Sequence, residues 1–219
     1  MLVAYSVKQA LFFAGGWEGH QPDRVVQRFV EELRSYGIES RVDNTLECLS
    51  NAAELARYDL IFPCWTMGQL TKEQAAALSH AVREGANLGG IHGGMGDAFR
   101  GQLEYEWMVG GHFVGHPYVG EYAVRVTDPE HPVTRGLPEE FGYRSEQYYM
   151  LIDPGVHVLA ETDYVYEDRT VVMPVAWTKS WGRGRVFYSA LGHLPEEFDE
   201  FPAALELAVR GLRWAAGAL

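Results

Sequence analysis

The first 92 residues alternate four times between a short apolar run and a segment with helical periodicity, and this alternation constrains the fold most. Helices are predicted from Pro22 to Gly37, over 46–57, and after Thr71, where Gln74 completes a capping box. The predicted strands lie at residues 9–14, 38–42, 58–64 and 86–92. Because strands joined through helices run parallel with right-handed crossovers, we expect a parallel sheet with helices on both faces.

The second half of the chain shows short strands and frequent turn residues. Residues 97–109 are predicted to be helical, residues 110–117 to form a glycine-rich loop, and a last helix to begin at Pro202. Strand candidates lie at residues 121–126, 147–152, 156–160, 171–177 and 185–191. Because no repeat or linker interrupts the chain, we predict one α/β domain over residues 1–219 with a β-rich extension.

Charge and composition exclude several classes of protein. The net charge of −12 argues against binding to nucleic acid or to an anionic membrane surface. Two cysteines, neither in a C-x-x-C pair, argue against a disulfide framework and a thiolate zinc site. Because no apolar run approaches membrane-spanning length and the N-terminus lacks a basic, apolar leader, we expect a cytoplasmic protein.

Glycines crowd both sides of His92. The segment Gly90-Ile-His-Gly-Gly94 follows a predicted strand and resembles a nucleophile elbow, with His92 at the position where a hydrolase carries serine or cysteine. Glycine permits positive φ and a close approach of neighbouring backbone. The pattern therefore predicts a sharp turn that exposes an imidazole, with a plain connection between strand and helix as the alternative.

Polar side chains follow several predicted strands, at the edge where an open α/β sheet binds its ligand. His112 and His116, in the predicted glycine loop, could close over this edge, and Glu146 is the most suggestive carboxylate of the β-rich half. The residues that directly follow predicted strands are His20, Thr66, His92 and His193. We expect these side chains to meet.

Imidazoles with one carboxylate suit a divalent metal such as zinc, and they equally suit metal-free acid–base catalysis. The sequence leaves both options open, excludes a standard zincin because no H-E-x-x-H motif is present, and suggests no nucleotide cofactor. The predicted catalytic residues are His92, Glu146, His193 and Asp97. The predicted metal ligands are His20, His92, His116 and His193.

Several of these residues have a structural alternative. Asp97 could cap the helix that it opens, and Arg100 is expected to pair with a nearby carboxylate. His112 could serve packing, and His116 is held extended by the proline that follows it. An aromatic wall for stacking a sugar could come from Trp65, Tyr148 and Tyr149, although such residues more often belong to a core.

Several motifs resemble the trehalose-utilisation, or ThuA-like, family. They are residues 65–68, 90–94 with 96–100, 108–117, 145–150, 173–177, and 184–188 with 191–193. The resemblance implies a flavodoxin-like, mostly parallel sheet related to the class I glutamine amidotransferases. In those enzymes the elbow residue is a cysteine with a later histidine and glutamate as partners. Here His92 occupies the elbow, so no glutamyl thioester can form by the usual route, and glutaminase activity is rejected.

The resemblance also implies a role in the metabolism of trehalose or a related disaccharide, including oxidised keto-sugars. We therefore expect an enzyme whose small-molecule sugar substrate undergoes isomerisation, elimination or hydrolysis at a His/Glu site. The alternative is a non-catalytic sugar-binding or interaction module that has kept an enzyme fold. The composition permits a homo-oligomer without requiring one.

Overall fold

The computed structural model describes residues 7–219. The prediction that the N-terminus carries no basic, apolar leader falls on residues outside this range. The strand–helix alternation of the first half is confirmed, and the Thr71–Gln74 capping box opens the third helix. The strands are β1 (Lys8–Gly16), β2 (Ile38–Asp43), β3 (Leu60–Thr66) and β4 (Leu88–Ile91). The helices are α1 (Pro22–Arg34), α2 (Ala52–Leu55) and α3 (Lys72–Arg83).

The helix predicted over 46–57 is divided into two pieces. A 3₁₀ turn covers Leu46–Leu49, and α2 begins only after Asn51. The Asn51 side chain accepts hydrogen bonds from the backbone N–H groups of Ala53 and Glu54, as an N-cap does. This cap fixes a new helix start within the segment.

The second half is built mainly from long antiparallel strands. Its strands are β5 (Gly111–Val126), β6 (Glu140–Ile152), β7 (His157–Tyr166), β8 (Arg169–Trp181) and β9 (Gly184–Ser189). Its helices are α4 (His92–Gly96), α5 (Leu103–Val109), α6 (Glu197–Glu200) and α7 (Pro202–Ala215).

Two predictions in this half are wrong. Residues 110–117 are not a loop, because β5 pairs with β6 from Gly111 onward, with register shifts between Phe113 and Gly115 and between Gly115 and Tyr118. These bulges accommodate the irregular sequence. The helix predicted over 97–109 begins only at Leu103, because positive φ angles at Phe99 (52°) and Gly101 (80°) break the path before it.

All nine strands form one sheet in the order β2-β1-β3-β4-β9-β8-β7-β5-β6. Pairing is parallel from β2 to β9 and antiparallel from β9 to β6. The fold is thus mixed α/β, and the prediction of a mostly parallel sheet holds only for the first half and β9. Short turns join β7 to β8 and β8 to β9, so these strands return beside their predecessor in the opposite direction.

Helices cover both faces of the sheet, as predicted. Because side chains alternate along a strand, Phe12 and Phe13 of β1 enter opposite cores. Phe12 packs with Phe29 of α1 and Leu212 of α7, whereas Phe13 belongs to the core that holds Leu78 of α3. Among residues 7–219, no helix is both long and apolar enough to cross a membrane.

The β5–β6 ribbon reaches the carboxyl edge of the parallel strands. β5 pairs with β6 along most of its length but with β7 at Arg125 and Val126. The Tyr148 hydroxyl on β6 lies 2.8 Å from Nε2 of His92, which directly follows β4. The ribbon therefore folds back over the strand ends and delivers side chains there.

Candidate functional site

His92 occupies a strained elbow between β4 and α4. Its φ is 44°, in the left-handed region that a side chain disfavours. The glycines after it are needed for close packing: a Cβ on Gly93 would lie 2.3 Å from Cε1 of His20, and one on Gly94 would lie 3.0 Å from Cα of Cys64. The strand–elbow–helix geometry expected from the glycine pattern is present, and such strain is typical of functional sites. The expected exposure of the imidazole is wrong: His92 is only 2% exposed, because neighbouring side chains pack over its ring.

The buried His92 ring has one nitrogen fixed by the backbone and one facing the site. Nδ1 donates a hydrogen bond to the Ala190 carbonyl at 2.8 Å, so in the neutral ring Nε2 carries the lone pair. Nε2 lies 3.3 Å from Oε2 of Glu146 and 3.3 Å from Nδ1 of His193.

His193 and Glu146 come from distant parts of the chain and meet at this nitrogen. His193 follows β9, Glu146 lies on β6, and Nδ1 of the former is 3.4 Å from Oε2 of the latter. Both are half-buried, with side chains 21% and 17% exposed. The imidazoles of 92 and 193 therefore share one site.

His20 closes the fourth side. It ends the 3₁₀ turn Glu18–His20 after β1, and its ring centroid lies 4.9 Å from that of His92 and 5.0 Å from that of His193. Its Nδ1 is 2.7 Å from the hydroxyl of Thr66, at the end of β3. One ligand atom from each of His20, His92, Glu146 and His193 lies within 4.8 Å of every other.

The charges in the cluster are set by burial and by mutual contact. Burial, reinforced by the His92 and His193 rings, lowers the pKa of His20 to about 3, so this ring is neutral at pH 7. Burial alone would raise the pKa of Glu146, but its contacts with His193 and His92 outweigh burial and hold that pKa below its ordinary value. The hydrogen bond with Glu146 in turn raises the pKa of His193.

These donors fit a zinc-type cation. Ligand atoms placed about 2.0–2.1 Å from a tetrahedral zinc lie about 3.3–3.4 Å from each other. The three separations among His92 Nε2, His193 Nδ1 and Glu146 Oε2 are 3.3, 3.3 and 3.4 Å. Metal-binding histidines also commonly hydrogen-bond through the second ring nitrogen, as His92 does with Ala190 and His20 with Thr66.

Two predicted residues lie outside the group of four. Nε2 of His116 lies 3.6 Å from the other oxygen, Oε1, of Glu146, and its side chain is 43% exposed. Asp97 ends α4 instead of opening a helix, and its buried carboxylate accepts two hydrogen bonds from Arg100, at 2.5 and 2.7 Å. His112 pairs at 3.6 Å with Glu106 instead of with the cluster.

Tyr148 is a site residue that was expected only as part of a sugar-stacking wall or of the core. Its ring stacks on that of His92 with centroids 4.1 Å apart, and burial raises its pKa well above the ordinary value. Because β-strand side chains alternate, Tyr148 shares a face with Glu146, and this spacing of two is the signal that could have identified it. Trp65 is half-buried and Tyr149 is exposed.

The exposed aromatic residue beside the cluster is Trp17. It is 47% exposed, and its ring meets that of His20 edge to face at 4.6 Å. A separate cavity of about 550 Å³ lies against Tyr122, Tyr143 and Phe201 and includes none of the four cluster residues. We therefore look to the surface beside Trp17, not to that cavity, for the approach of a ligand.

Comparison with known proteins places the chain in a family. A protein-family model described as ThuA, trehalose utilisation, matches residues 9–215. The chain belongs to the ThuA family. No curated protein sequence matches it.

Solved structures share the ThuA fold. A ThuA-like protein from Bacteroides uniformis has a TM-score of 0.76 at 20% identity, covering 98% of this chain and 95% of its own. A ThuA-like protein from Parabacteroides merdae has a TM-score of 0.74 at 19% identity, and the match covers 97% of this chain and 90% of the other. A cytoplasmic protein from Salmonella typhimurium has a TM-score of 0.65 at 14% identity, and the match covers 95% of this chain and 98% of the other. At these identities the likeness shows the fold alone.

The strain at the elbow of this ThuA family member gives a direct prediction. His92→Gly and His92→Ala both remove the imidazole, but only glycine accepts a φ of 44° without strain. We expect the glycine variant to be more stable than the alanine variant by about 1 kcal/mol, measured by urea unfolding without added metal. An alanine variant more stable than the glycine variant, the order that the entropy of the unfolded chain alone produces, would show that the elbow is not strained.

Proposed function

We propose that this ThuA protein is a metal-assisted enzyme of carbohydrate metabolism that acts on trehalose or a related keto-disaccharide. The observation that carries the proposal is the convergence of three imidazoles and one carboxylate at the carboxyl edge of the sheet. Membership of the trehalose-utilisation family supports a sugar as the substrate class. The description of the Salmonella neighbour supports a cytoplasmic location.

His20, His92 and His193 would hold a divalent metal such as zinc, with Glu146 as a fourth ligand or as the base beside it. A metal held there would polarise a carbonyl or hydroxyl oxygen of the sugar as a Lewis acid. Neutral His20 and ionised Glu146 give the nitrogen and oxygen donors that such an ion prefers. His92 and Glu146 would equally serve proton transfer without a metal.

Glu146 is placed to move a proton between the cluster and solvent. Its Oε2 faces His92 and His193, whereas Oε1 lies 3.6 Å from the exposed His116. A carboxylate in this position can take a proton from a carbon next to the sugar carbonyl, and His116 can pass that proton to water. This route serves isomerisation or elimination, and Glu146 can instead activate water for hydrolysis.

Trp17 offers the stacking face that sugar rings use. Replacing Trp17 by alanine is expected to weaken binding of the processed sugar about two- to tenfold, since an aromatic contact of this kind contributes about 0.5–1.5 kcal/mol. Isothermal titration with that sugar measures the change. The matched control is Trp107→Ala, because Trp107 is 56% exposed but bonds Asp153 instead of cluster residues. Equal losses in both variants would contradict the placement of the sugar.

The proposal is tested by measuring metal content and turnover together. The purified protein, loaded with zinc and dialysed, is expected to retain one zinc per chain and to convert a member of a panel of trehalose, related disaccharides and their keto-derivatives. Sugar binding without conversion of any panel member would instead favour the non-catalytic binding module. Failure to retain zinc, with turnover unaffected by chelator, would leave only the metal-free acid–base site.

A further inference from the structure

Glu197, on α6, joins the two chain segments that carry His193 and Glu146. Its Oε2 accepts a hydrogen bond from the backbone N–H of His193 at 3.1 Å and one from the Tyr143 hydroxyl. Its Oε1 accepts a hydrogen bond from the Ser145 hydroxyl at 2.8 Å. One carboxylate therefore holds the loop after β9 and the middle of β6 at the same time.

A further hydrogen bond strengthens this connection. The Tyr143 hydroxyl, while donating to Glu197, accepts from the backbone N–H of Gly192 at 2.8 Å. Gly192 directly precedes His193, and Ser145 directly precedes Glu146. His193 and Glu146 thus each follow a residue that is held by the hydrogen bonds around Glu197 and Tyr143.

We infer that Glu197 is a positioning residue that sets the spacing between Nδ1 of His193 and Oε2 of Glu146. Glu197 does not belong to the group of four. It acts on His193 through the backbone N–H of that residue and on Glu146 through the neighbouring Ser145. A carboxylate accepts at both oxygens through charge-assisted hydrogen bonds. In glutamine one oxygen becomes an NH₂ group, to which the Ser145 hydroxyl can adapt only by turning to accept, and the remaining neutral oxygen holds the His193 N–H and the Tyr143 hydroxyl more weakly. The effect of Glu197 on zinc affinity rests on the proposed metal site, whereas its effect on the loop after β9 does not.

The same short segment supplies matched controls. Glu196 and Glu200 carry the same charge close to Glu197, are exposed, and pair with single arginines, Arg24 and Arg144. Substituting either by glutamine removes one negative charge near the site without touching the network. Any electrostatic effect on a cation is therefore shared by Glu197→Gln and the controls, whereas a positioning effect belongs to Glu197→Gln alone.

The first test uses the metal-free protein and amide hydrogen exchange. Glu197→Gln is expected to accelerate exchange of the His193 amide at least tenfold, with Glu196→Gln and Glu200→Gln unchanged. Ser145→Ala, which removes one of the three donors, keeps the test usable if Glu197→Gln folds poorly, with about threefold acceleration expected. An unchanged His193 amide in a folded Glu197→Gln protein would overturn the inference.

The second test measures zinc affinity by competition with a chelating dye. Glu197→Gln is expected to weaken zinc binding 10- to 100-fold, as loss of a residue that orients a ligand does, with less than a twofold change in the controls. Equal weakening in all three variants would overturn the positioning role. If the wild type binds no zinc, the proposed metal site fails, and the exchange experiment alone decides on Glu197.

Discussion

Replacing His92 by alanine is expected to weaken zinc binding on the order of 10²-fold, so that dialysis removes the metal and turnover of the processed sugar falls with it. His92 is the central member of the cluster: its Nε2 lies 3.3 Å from both Glu146 Oε2 and His193 Nδ1. A zinc site of four ligands has a binding free energy of about 12 kcal/mol, or about 3 kcal/mol for each ligand. Loss of one ligand therefore lowers the affinity on the order of 10²-fold.

Isothermal titration with zinc, followed by metal analysis after dialysis, measures this loss. His80→Ala is the matched control, because His80 lies exposed on α3, away from the strand ends. The fold should survive in both variants, as circular dichroism can verify. Zinc binding and turnover that stay at the wild-type level in His92→Ala would remove the elbow from the site.

Replacing Glu146 by glutamine is expected to lower kcat by 10²- to 10⁴-fold, the contribution typical of a positioned base. Glutamine keeps the shape and one oxygen of the side chain but cannot take up the proton. Because contacts with His193 and His92 hold the pKa of Glu146 below its usual range, the wild-type carboxylate is already ionised at neutral pH.

Steady-state kinetics on the zinc-loaded protein separates the two roles proposed for Glu146. A base gives a large fall in kcat with nearly unchanged KM and zinc content, whereas a ligand gives a loss of zinc as well. Glu121→Gln, an exposed glutamate of β5, controls for the change in charge. Unchanged kcat in Glu146→Gln would contradict both roles.

Most of the parallel half was predictable because β1, β3 and β4 are buried on both faces. Such strands form nearly continuous apolar runs, as in residues 58–64, and the turns after them carry glycine. The β5–β6 ribbon was not predictable in the same way. Around His116 and Pro117, its pattern of exposure is irregular and its register shifts twice, so the local sequence resembles a loop.

The same difference applies to the functional site. His20, His92 and His193 were expected to meet because each follows a strand of the parallel half or β9, and parallel strands share a carboxyl edge. Glu146 was singled out by sequence, but its approach depends on the ribbon folding back over that edge, which no local pattern specifies. Glu197 was missed because its contacts, to the His193 backbone and to the Ser145 hydroxyl, exist only in the folded chain and leave no pattern in the local sequence.

Anomalous diffraction from zinc-loaded crystals, recorded on both sides of the zinc absorption edge, tests the central claim most directly. We predict a single strong peak within bonding distance of Nε2 of His92 and Nδ1 of His193, with Glu146 and His20 beside it. Crystals that contain zinc at other positions but show no peak between these two histidines would contradict the account.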